Sequence, residues 1–82
     1  MIRVLRMNVL PGDKVKAFVD VEINELKING LKVIKDGDEL YVVYPSEKGK
    51  DGKYYGVVSP ITQGLEEEVK RVVLDYYKIR TA

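Results

Sequence analysis

Val15 to Ile23, VKAFVDVEI, places Val15, Ala17, Val19, Val21 and Ile23 on one side and Lys16, Phe18, Asp20 and Glu22 on the other. An unbroken period of two marks a β-strand in a sheet with one packed face and one wet face. Phe18 is the exception on the wet side. It reads as a binding platform, as half of a subunit interface, or as a ring covered by a neighbouring side chain.

Toward the N-terminus, Ile2, Val4, Met7 and Val9 are apolar, but the alternation slips at Leu5. Such a slip suits a strand from Ile2 to Leu10 that carries a bulge or is buried on both faces. Pro11-Gly12-Asp13-Lys14 then reverses the chain and makes the two strands an antiparallel pair. On the other side, Asn24-Glu25 is a polar break before Leu26 to Ile34, LKINGLKVI. Asn29-Gly30 is a strong hairpin signal, yet it leaves too short a strand before it. The apolar phase also changes, from Leu26 and Ile28 to Leu31 and Val33, as a bulge requires. One long strand kinked at Gly30 is the expected form. Asp36-Gly37-Asp38-Glu39 is the next turn, and its carboxylates lack the spacing of a calcium loop.

The run Leu40 to Ile61, LYVVYPSEKGKDGKYYGVVSPI, reads as two short strands, Leu40–Tyr44 and Tyr54–Ser59, flanking a loop from Pro45 to Lys53. Pro45 ends the first strand because it cannot donate to a ladder, and Asp51-Gly52 supplies a tight turn into the second. Lys48, Lys50 and Lys53 beside Tyr54 and Tyr55 are the candidate contacts for phosphate and bases. After Pro60, Thr62 is an N-cap candidate, and Leu65, Val69, Val72, Val73 and Tyr76 form one stripe on a helix from about Gln63 to Ile79. Val69, Val72, Val73 and Tyr76 are expected to be buried.

The element order gives an α+β class: an antiparallel sheet of about five strands followed by one C-terminal helix packed on one face. At 1.5 Å per residue the helix spans only about 25 Å, so apolar strand positions are left over and a homodimer is expected.

Composition narrows function mainly by exclusion. The 82 residues bound a single domain, and without cysteine or histidine the chain lacks the side chains of disulfides, thiol chemistry, ordinary zinc sites and the commonest general base. No enzyme activity, cofactor or metal is expected. No run approaches a membrane span, and the N-terminus lacks the pattern of a signal peptide, so a cytoplasmic location is expected. A net charge of +1, from 14 basic and 13 acidic residues, means that nucleic-acid binding would need a local patch. The charged fraction of 33%, with one glutamine and three asparagines, follows the trend of hyperthermophile proteins.

The run LKVIKDGDELYVVYPSEKGKDGKYYGVVSPI, with a helix ending in VLDYY, resembles the septation protein SpoVG family. Its members share a V-I-x-G turn, an aromatic-V-x-x-P-S strand end, a basic loop closing in D-G and an aromatic strand ending in P-I. The resemblance runs without a gap from about Lys27 to Tyr77. It implies a small cytoplasmic homodimer with a role in septum formation and in gene regulation through DNA and RNA. Against the family pattern, Glu47 stands where a basic residue is usual, Tyr55 replaces an arginine, Gly56 an aspartate and Ser59 a histidine. Glu66 and Glu68 reverse the sign of basic positions near the helix start. Two functions follow as expectations: a nucleic-acid-binding regulator using the basic loop, or a protein-interaction module of cell division that docks an unidentified partner on an edge strand or the Phe18 face.

Overall fold

A computed structural model describes residues 1–82. Four strands, β1 Ile2–Val9, β2 Val15–Ile23, β3 Leu26–Asp36 and β4 Glu39–Val43, form an antiparallel meander in the order β1-β2-β3-β4. Two short strands, β5 Ser46–Lys48 and β6 Tyr54–Gly56, pair only with each other, and α1, Gln63–Thr81, follows. The fold is α+β, as the element order implies.

β2 lies inside the sheet, and its alternate residues Ala17, Val19 and Val21 are at most 1% exposed. Their cross-strand partners continue the same face: Met7 and Val4 on β1, and Val33, Leu31 and Ile28 on β3. Val69 and Val73 of α1 close over this surface, both fully buried. The slip in alternation at Leu5 is a bulge in the β1–β2 pairing between Val4 and Arg6.

Gly30 is the kink in a single strand β3, with φ +86° and a register shift in the facing part of β2 between Val19 and Val21. Its amide, displaced from the ladder, donates to Asp20 Oδ1 at 3.1 Å. Asn24 and Glu25, by contrast, do more than break the pattern. Both have positive φ, 48° and 70°, and form the tight β2–β3 connection. Asparagine tolerates that region and the geometry matches strand twist, whereas glutamate seldom adopts it, which hid the turn in the sequence.

Thr62 caps α1: its Oγ1 accepts the Leu65 amide at 3.2 Å. Glu66 in the first turn and Lys78 and Arg80 in the last complement the helix dipole. The buried stripe is turned from the expected one. Val69 and Val73 are buried, but Val72 is half-buried and Tyr76 is 40% exposed, while Leu74 is 8% exposed and Tyr77 packs against the core. The helix seats against β1 and β4, and that seat, rather than the centre of its own apolar stripe, decides which side chains are covered.

The expected five-strand sheet divides into the four-stranded sheet and the β5–β6 ribbon. Tyr54–Ser59 does not pair with Leu40–Tyr44; only Tyr54–Gly56 is a strand, and its partner is Ser46–Lys48. A hairpin's turn fixes its register, so the turn before Lys53 selects the residues just after Pro45. No residue of either strand is buried, so the ribbon is an exposed arm.

Val69→Ala or Val73→Ala should lower unfolding free energy by about 1–3 kcal/mol in urea denaturation, and Tyr76→Ala by well under that. Gly30→Ala should cost about 1 kcal/mol from backbone strain alone, since a Cβ there meets no atom within 4 Å.

Candidate nucleic-acid interface

The β5–β6 arm is built from its turn outward. Gly49 N–H donates to the Lys53 carbonyl at 2.7 Å, and Gly52 N–H to the Gly49 carbonyl at 3.0 Å. With Gly52 at φ +83°, Lys50-Asp51-Gly52 is a three-residue hairpin loop whose last position needs glycine. Asp51 Oδ1 accepts the Lys53 amide at 3.0 Å, the local bond that makes aspartate a turn former. At the base, Val57 N–H donates to the Pro45 carbonyl at 3.0 Å and extends the pairing beyond the strands.

The structure brings Lys48, Lys50, Lys53, Tyr54 and Tyr55 together on this arm and gives the tyrosines different work. The Tyr55 hydroxyl donates to Asp51 Oδ2 at 2.5 Å. Its ring lies over Gly49, where an added Cβ would fall 2.7 Å from Cε2. Tyr55 therefore braces the turn. Tyr54, 72% exposed and without such a bond, keeps its ring free.

Register pairs Lys48 with Tyr54 and Glu47 with Tyr55. Directly opposed residues share a face of a ribbon, so the arm has two chemically distinct sides. Lys48 and Tyr54 lie on one. Glu47 and the Asp51–Tyr55 pair lie on the other, the side to which alternation also turns Lys53, with Lys50 in the turn between them. No carboxylate comes within 4.0 Å of the ammonium groups of Lys48, Lys50 or Lys53. Glu47 and Asp51 are thus turned away from Lys48 and Tyr54, and share their side with Lys53.

The Tyr55 hydroxyl, followed by the Lys53 amide, holds the Asp51 carboxyl below its ordinary pKa, and the same bond to Asp51 holds the Tyr55 phenol above its own. A lowered carboxyl stabilises the turn above the unfolded carboxylate pKa and loses that contribution as pH falls through the folded value. A raised phenol contributes below the ordinary tyrosine pKa and is lost as pH climbs through its folded value. Tyr55→Phe should therefore move the Asp51 pKa up toward that of a free aspartate, read from carboxyl carbon shifts in an NMR pH titration.

Comparison with known proteins identifies a family. The SpoVG family model matches residues 1–79. A protein of Symbiobacterium thermophilum is 39% identical over 79 residues, which cover 94% of this chain and 56% of that relative. Relatives in Agathobacter rectalis and Treponema denticola are 33% and 30% identical over 66 and 78 residues, covering 79% and 94% of this chain and 76% and 82% of theirs. All three carry the name "Putative septation protein SpoVG". On a family match that takes in β1 through most of α1, the chain belongs to the SpoVG family.

Proposed function

We propose that the chain is a small, non-enzymatic, cytoplasmic regulator associated with septation and gene expression, which binds DNA or RNA through the β5–β6 arm as a homodimer. The septation role rests on the names of its relatives. The observation that carries the binding is the segregation of the arm: Lys48 and Tyr54 share one exposed face, and Glu47 and Asp51 occupy the other. Lysine ammonium groups supply phosphate contacts, and a free tyrosine ring supplies a stacking surface. A twofold assembly would present two such arms and concentrate their charge despite the near-neutral net value.

Lys48→Ala, Lys50→Ala and Lys53→Ala combined should weaken binding across sequences. On duplex DNA the dependence of log affinity on log salt should flatten by up to about 0.9 for each phosphate that the lysines no longer neutralise. Tyr54→Ala should cost roughly 1–3 kcal/mol on a single-stranded target if a base stacks there. A fluorescence-anisotropy salt series on wild type and variants reads both. Equal slopes for wild type and the lysine variant would remove the arm from the interface.

A second reading, a protein-interaction module without nucleic-acid binding, is favoured by a groove beside the arm. Ile23, Leu26, Ile28, Tyr44, Leu65 and Val69 line it, and the Tyr44 hydroxyl is buried there without a hydrogen-bond partner. Leu26 and, nearby in sequence to the groove wall, Ile61 are 68% and 95% exposed, apolar surface that a subunit or another protein would cover. Sedimentation at micromolar concentration should show a species of twice 9.3 kDa. A monomer with no affinity for DNA or RNA at low salt would transfer the function to a protein partner.

A further inference from the structure

The face of the four-stranded sheet turned away from α1 carries its own pattern. Register sets Asn8, Phe18, Lys32 and Val43 in one row across all four strands. Arg6 and Asp20 pair in the next row, and Arg3, Glu22 and Lys27 in the one beyond. Both acids are already engaged. Asp20 accepts the Gly30 amide, and Glu22 accepts Arg3 Nε at 2.5 Å. Arg6, Lys27 and Lys32 have no carboxylate within 4.0 Å, so these three rows carry four cations against two carboxylates, while Asp36 and Glu39 lie at the far end of the same face.

Phe18 stands in the middle of this charge, 41% exposed, with Lys32 Nζ 6.0 Å from its ring centroid. A shallow recess lined by Arg6, Asn8, Phe18 and Asp20 opens beside the ring. An aromatic face beside unpaired cations matches a base joined to its phosphate. The centre of a protein–protein interface would be short of lysine.

We propose that this open sheet face is a second contact surface, for single-stranded nucleic acid. One base stacks on Phe18, Lys32 and Arg6 take the flanking phosphates, and the Asn8 amide faces the base edge. A duplex keeps its base faces stacked inside, so the surface selects unpaired strands. The ligand class rests on the proposed function, but the residues are separate from the arm.

The test measures anisotropy of a labelled oligo-dT of about a dozen nucleotides and of a duplex, with wild type, the arm lysine variant, Phe18→Leu and Arg6→Ala/Lys32→Ala. Phe18→Leu keeps an apolar side chain on β2, and its melting curve checks the fold. The expected result is a loss of at least about fivefold in oligo-dT affinity, with duplex affinity unchanged, and a shallower oligo-dT salt slope for Arg6→Ala/Lys32→Ala. If Phe18→Leu binds oligo-dT like wild type while the arm variant weakens, the sheet surface is overturned and the arm stands. Loss in Phe18→Leu with none in the arm variant supports the sheet surface and removes the arm. Wild type binding neither probe overturns both. A change of sedimentation in Phe18→Leu overturns the proposal in favour of a second copy of this chain on that face.

Discussion

The packing of alternate β2 side chains between two neighbouring strands and one helix is the constraint on which the rest depends. Ala17, Val19 and Val21 meet Met7 and Val4 on one side, Leu31 and Val33 on the other, and Val69 and Val73 above. Fully burying a valine or leucine is worth about 1.5–3 kcal/mol, and this small core has few other sources of stability. Period two then does a second job. Once one set of β2 side chains is committed to the helix, Phe18, Asp20 and Glu22 are committed to the open face.

The bulges adjust that commitment locally. At Gly30 the extra residue in β3 restores the apolar phase, so that Ile28 and Leu31 both reach the core side despite their spacing. The freed amide is taken by Asp20 Oδ1, and Arg6, opposite Asp20 in register, makes no salt bridge. A requirement of packing thus fixes the position of a carboxylate on the opposite face.

The arm is organised differently, because it has no core. A two-stranded hairpin is marginal by itself, and this one is held by its turn bonds and by Tyr55 lying across Gly49 to reach Asp51. Only glycine at position 49 allows that approach. A stiffened arm would lose less conformational freedom on binding a ligand, and one tyrosine is used for stiffness while the other is left exposed. Two adjacent tyrosines are equivalent in composition, and only the strand register separates them.

The sequence by itself determined whatever is governed by neighbours along the chain. The period of β2, the slip at Leu5, the kink at Gly30, the Asp51-Gly52 turn and the Thr62 cap all depend on contacts or torsions within a few residues, and each was legible. Tertiary structure alone decided what depends on partners distant in sequence: that β6 pairs with Ser46–Lys48, that α1 buries Leu74 and leaves Tyr76 exposed, and that Asn8, Phe18, Lys32 and Val43 share one row. Periodicity says which residues share a face. Register, set by turns, bulges and the seat of the helix, says which residues of other strands they share it with.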